Sequence, residues 1–245
     1  MSHPLVSAVR VGLADLADPA RAEDMRRYMK SELPFRGVPK PPRARLARAL
    51  FREFPLSDVE EWEDVVRQLW YGASYREERY LALDLTGHRA YLPWQTARRV
   101  PLYEELIRTG AWWDYVDDVA VHRIGPIHRA EPSVLEPVLR TWATDGDRWI
   151  RRTSVLCQVG AKERTDTGLL THCVEANVAD GDFFLRKAIG WALRDFARTD
   201  PGWVRRFTDD HPGLSPLSRR EALRHLGAPT APTAPGGPDE RSARP

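Results

Sequence analysis

Trp113 and Asp117 stand four residues apart. In a helix, residues at i and i+4 share a face, one turn from each other. An indole beside a carboxylate can flank a developing cation, and a carboxylate can orient a water nucleophile. The alternative is an N-terminal aromatic staple next to a surface acid. Trp112 precedes Trp113, and helical neighbours diverge by about 100°. If one of the pair faces the core, the other points elsewhere. A further tryptophan, Trp191, follows Gly190 in an apolar stretch. A glycine inside a helix costs about 1 kcal/mol relative to alanine. Something therefore approaches the backbone there, either a ligand or a neighbouring helix.

The basic residues suggest a second kind of chemistry. Of 37 Lys and Arg, four are lysine. Arg151-Arg152, Arg186-Lys187 and Arg219-Arg220 form three pairs, each early in a helical segment. Helix N-termini favour anions, and a guanidinium fork fits a phosphate. In register, the pairs would form a stripe for a DNA backbone. Taken singly, each could be solvated or bridged to acids nearby. The arginine excess also fits codon bias in a GC-rich genome, and the net charge of +2 does not by itself mark a nucleic-acid binder.

These residues must be positioned by helices. Trp62, Val65, Val66 and Leu69 fall at i, i+3, i+4 and i+7, and Leu185 to Phe196 carries the same stripe. Sustained period-2 alternation is hard to find. Segments beginning near Tyr80, Val116, Ile150, Leu185 and Leu217 resemble one another at a period of 32–36 residues. Second helices, such as 136–143 and 169–176, lie between them. Two helices per unit at this period predict an all-α, HEAT-like solenoid (an α-α superhelix) with one helix of each pair on a concave face. Trp62, Trp70, Trp142 and Trp149 are expected in its core. Residues 1–227 form the repeat domain, and the Pro/Ala/Gly-rich segment 228–245 is expected to be disordered.

Other classes are set aside. Cys157 and Cys173 lack metal-ligand spacing and cannot build a disulfide framework. The N-terminus is not a signal peptide, and no apolar run approaches the roughly 18 residues of a membrane span. A soluble, cytoplasmic monomer is expected, needing neither metal nor cofactor.

The motifs resemble the AlkD family of bacterial DNA alkylation-repair glycosylases from about Pro4 to Gly227. The matching stretches are Tyr28-Met-Lys30 with Phe35 and Gly37, Ala82-Leu-Asp84, Trp112 to Asp117, Trp149-Ile-Arg-Arg152, Phe184 to Arg194, and Pro216 to Ala222 with His225. The resemblance implies that Trp113, Asp117 and Trp191 surround a lesion nucleotide. It implies that Arg152 contacts the DNA backbone and that Tyr28 lies near the duplex. With the basic positions, the expected DNA-contacting set is Tyr28, Lys30, Arg151, Arg152, Arg186, Lys187, Arg194, Arg219 and Arg220. The sequence departs from the family pattern at Arg36, and Asp118 reads as a solvated neighbour of the central acid.

The implied activity is hydrolysis of the N-glycosidic bond of cationic N3- or N7-alkylated purines in duplex DNA, such as 3-methyladenine, 7-methylguanine or a bulkier adduct. No lysine is a clear Schiff-base candidate, so a monofunctional glycosylase is expected. Two rivals follow from the same residues: a non-catalytic DNA-damage-binding repeat protein and a protein-binding helical scaffold.

Overall fold

The computed structural model describes residues 2–226. Among them are fourteen α-helices and no strand. The first three are α1 (Pro4–Asp15), α2 (Pro19–Met29) and α3 (Lys40–Glu53). The rest form two layers. One contains α4 (Val59–Tyr71), α6 (Val100–Gly110), α9 (Pro132–Trp142), α11 (Thr167–Glu175) and α13 (Pro201–Asp210). The other contains α5 (Arg76–Thr86), α7 (Trp113–Val119), α10 (Arg148–Leu156), α12 (Phe183–Phe196) and α14 (Pro216–Ala222). Each member of this second layer packs on the next: α5 on α7, α7 on α10, α10 on α12, α12 on α14. Their first residues are separated by 33 to 37 positions, which is the expected repeat. Helix α8 (Gly125–Ala130) continues α7 through a π-helical turn, Ala120–Ile124.

Local chemistry sets the helix starts. Asp58, Asp147, Asp166, Asp182 and Ser215 each accept a backbone N–H from the first turn of the helix they precede. The second helices lie at α9 and α11, as the spacing predicts. Trp62, Trp70, Trp142 and Trp149 are all buried. So are Cys157 and Cys173, both free thiols; burial pushes the Cys173 thiol up to about 12. The expected tail, 228–245, lies outside the described residues.

Three consecutive charged residues at the start of α5 are buried: Arg76, Glu77 and Glu78. Buried charge is tolerated only with partners. Glu77 accepts backbone N–H bonds from Arg36, Gly37 and Val38 at 3.0–3.1 Å. Glu78 pairs with Arg10 at 3.0 Å and accepts N–H from Ser74 and Tyr75. Glu77 thus fixes the loop after α2. In that loop Gly37 sits at φ +82°, where a Cβ would strike the Asp18 carbonyl. The Arg36 guanidinium lies over the Tyr75 ring, 3.9 Å from its centroid.

Gly190 is explained by helix packing. A Cβ there would sit 2.6 Å from Glu221 Cβ and 3.2 Å from the Ser218 carbonyl oxygen. The element approaching the backbone is α14. Gly190→Ala gains about 1 kcal/mol of helix propensity but forces α12 and α14 apart. A net loss of about 1–3 kcal/mol is expected, read as a lower urea midpoint with an unchanged m-value.

Candidate functional site

Asp117 is in the middle of α7, one turn after Trp113. Its carboxylate receives the Arg152 guanidinium side-on: Nε to Oδ1 at 2.7 Å and Nη2 to Oδ2 at 2.8 Å. The Arg152 side chain is 6% exposed and that of Asp117 15%. Arg152 also donates to the Phe184 carbonyl. One guanidinium therefore joins α7, α10 and the first turn of α12. Arg152, expected at a DNA phosphate, here directs its fork at the carboxylate and also lines the cleft described below. Burial raises the Asp117 carboxyl above its ordinary value, and the hydrogen bonds and charge of Arg152 pull against that.

A second buried pair sits one turn earlier. Asp114 accepts from Arg76 Nη2 at 2.7 Å and from the Tyr80 hydroxyl at 2.6 Å. Arg76 also donates to Ser31 Oγ at 3.2 Å. Ser31 follows Lys30 and Asp114 follows Trp113. Arg76 thus sets the end of α2 against the start of α7. Sequence reasoning missed Arg76, Tyr80 and Asp114. The available signal was the Arg-Glu-Glu run at the head of an otherwise apolar helix.

Between these elements is a cleft of about 440 Å³, lined by Tyr28, Lys30, Trp112, Trp113, Arg152, Phe183, Phe184 and Lys187. Trp112 turns inward: its ring is 5.6 Å from Phe184 and 6.1 Å from Trp149. Trp149 and Phe184 are 5.0 Å apart. The first turns of α7, α10 and α12 share this aromatic cluster, and Trp112 and Trp113 both line the cleft. Phe183 is exposed at its edge, and Tyr28 is 76% exposed. The backbone at both flanks is left-handed and non-glycine, with Lys30 at φ 49° and Ala111 at φ 41°. Such strain accumulates at functional sites. Trp191 does not line this cleft. It is partly buried, one turn along α12 from Lys187, and shares that residue's face.

Most of the expected basic stripe is paired. Arg151 binds Asp180 at 2.9 Å. Lys187 binds Glu221 at 3.1 Å, and Arg194 binds the same carboxylate. The Glu221 carboxyl is lowered, chiefly by Lys187. Arg219 donates to the Thr208 carbonyl and lies 3.7 Å from Asp209. Arg186 donates to the Asp182 carbonyl. Lys30 and Arg220 are exposed, and no ion pair holds either among the described residues. Asp118 is not merely solvated: it pairs with Arg123 at 3.3 Å. Among the described residues no cluster of three or more His, Cys, Asp or Glu could hold a metal. No helix among them is long and apolar enough to cross a membrane.

The arrangement offers a carboxylate beside an aromatic-walled, cation-edged cleft. Bidentate arginine occupies two of about four lone-pair sites on Asp117, leaving two for a water or a cationic centre. Replacing Arg152 with Gln removes the charge that lowers the Asp117 carboxyl, so it titrates at higher pH than in the parent. Carbon-13 NMR of labelled aspartate reads that shift. A carboxyl raised in the folded state favours folding below its ordinary value, and that contribution is lost as pH rises through the raised value. In Arg152→Gln the loss extends to higher pH.

The family model described as DNA alkylation repair enzyme matches residues 9–226. A solved structure described as a predicted DNA alkylation repair enzyme from Enterococcus faecalis is similar, with a TM-score of 0.78 and 29% sequence identity. That similarity covers 86% of this chain and 97% of the other. A comparison with curated proteins gives no match.

Proposed function

The chain belongs to the DNA alkylation repair enzyme family, and from that premise we propose that it is a monofunctional DNA glycosylase acting on cationic N3- or N7-alkylated purines in duplex DNA. The observation that carries this reading is the largely buried Asp117, paired with Arg152 one turn after Trp113 at the cleft.

Alkylation at N3 or N7 makes the purine cationic and hence a good leaving group. As the C1′–N9 bond lengthens, the sugar takes on oxocarbenium character. The bonding pair leaves with the base and neutralises its charge. Water adds to C1′ and gives up a proton toward Asp117 and solvent. Asp117 needs no proton of its own for this; it must remain an anion. Arg152 keeps it so, at the expense of part of its field. Trp113 offers a π-face to the cationic sugar or base, an interaction of about 0.5–2 kcal/mol. Trp191 sits further along α12 and would meet the strand beyond the lesion sugar.

A carboxylate about 4 Å from a unit positive charge, at an effective dielectric near 20, contributes about 4 kcal/mol, or roughly a thousandfold in rate. Asp117→Asn should lower single-turnover release of 7-methylguanine or 3-methyladenine by a factor approaching that. Duplex affinity should stay within a few-fold of the parent. Binding without release by the parent protein would instead identify a damage sensor, and equal loss of both properties in the variant would make Asp117 structural.

Phosphate contacts are assigned to the cations left unpaired. Lys30→Ala and Arg220→Ala should each weaken binding to any duplex. Each should also flatten the plot of log affinity against log salt by roughly 0.9. Arg152→Ala should change that slope less, because its charge already faces Asp117.

A further inference from the structure

At the far end of α5 from the cleft is a larger recess, about 880 Å³. It lies between the C-terminal half of α3, the end of α5 and the 3-10 helix Arg89–Trp94. Its volume is in the usual range for small-molecule sites. The floor is apolar and aromatic, formed by Ala47, Phe51, Leu56, Tyr91 and Trp94. Tyr91 stacks on Trp94 at 4.9 Å with a 16° interplanar angle, and the Phe51 ring meets His88 edge-on at 5.5 Å.

The rim is cationic. Arg48, Arg52 and Arg89 line it, and all three are exposed. Arg48 and Arg52 are one turn apart on α3, so they project from the same face. None of the three has an ion-pair partner among the described residues, whereas Arg76 on α5, Arg151 and Arg152 on α10 and Arg194 on α12 do. The one acid of the lining, Asp84, is held by Arg43 at 3.3 Å. The recess therefore combines uncompensated positive charge with an aromatic floor.

We propose that this recess binds a nucleotide, with the base against the Phe51, Tyr91 and Trp94 floor and the phosphate on Arg48, Arg52 and Arg89. A bare phosphate would leave the floor unused. A neutral apolar molecule would leave three guanidinium groups unanswered. A planar base carrying a phosphate satisfies both, through stacking and forked guanidinium contacts. The same chemistry has two sources. One is a free nucleotide. The other is an unpaired nucleotide of DNA whose duplex occupies the cleft, and that source rests on the repair reading above. Helix α5, with 11 residues, spans roughly 16 Å, less than one turn of duplex, about 34 Å.

The test is calorimetric titration of the full chain with dAMP, deoxyadenosine and inorganic phosphate. dAMP should bind, and the other two should each bind at least tenfold more weakly. The double variant Arg48→Ala/Arg89→Ala should lose at least tenfold in dAMP affinity. Arg98→Ala, an exposed neighbour outside the recess, should match the parent, and thermal unfolding should show all variants folded. No binding of dAMP, undiminished binding in the double variant, or phosphate binding as well as dAMP would each overturn the proposal. Competition by a duplex with a single-stranded overhang, but not by its blunt counterpart, assigns the site to DNA. Absence of competition assigns it to the free nucleotide. Base release from blunt duplex should be unchanged in the double variant, so failure of the glycosylase reading leaves the dAMP result intact.

Discussion

A carboxylate whose side chain is only 15% exposed has a strong tendency to take up a proton, and a protonated Asp117 could neither hold a cation nor accept a proton from water. The two-pronged contact with Arg152 opposes that tendency. Desolvating such a pair is costly, and its net contribution to stability is small. Its value is positional: it fixes the carboxylate in charge state and orientation, and the Phe184 carbonyl fixes the guanidinium in turn. Loss of either partner would leave an unpaired buried charge.

The same device recurs from α3 along the layer of α5, α7, α10, α12 and α14. Arg43 and Asp84 link α3 to α5, Arg76 and Asp114 link α5 to α7, and Asp117 and Arg152 link α7 to α10. Lys187 and Arg194 converge on Glu221 to link α12 to α14. Apolar packing holds each helix in its layer, but it is non-directional. The ion pairs add direction and register. The cleft lies where two of these links meet the aromatic cluster of Trp112, Trp149 and Phe184.

This lacing changes the meaning of the basic residues. Most arginines of the α5, α7, α10, α12 and α14 layer are ties between helices, and their charge is largely answered within the protein. Cations without an ion-pair partner among the described residues lie elsewhere, Lys30, Arg220 and the arginines around the recess beside α3 among them. Those positions have charge to offer a polyanion.

Much was legible in the sequence because it depends on local spacing. The helical stripes, the Asp and Ser caps, the two-helix period and the shared face of Trp113 and Asp117 all follow from 3.6 residues per turn and short-range capping. Other features required tertiary structure because their partners are roughly 30 to 45 residues away. No local pattern says that Arg152 meets Asp117, that Arg76 joins Ser31 to Asp114, or that Gly190 makes room for α14. A basic pair at a helix start looks the same whether it awaits a phosphate or already holds a carboxylate from a neighbouring repeat. Sequence alone determined which residues could do chemistry and which helix faces carry them. Only the packing of one repeat on the next decided which charges remain available, because burial and pairing are properties of neighbours that the chain brings together from a distance.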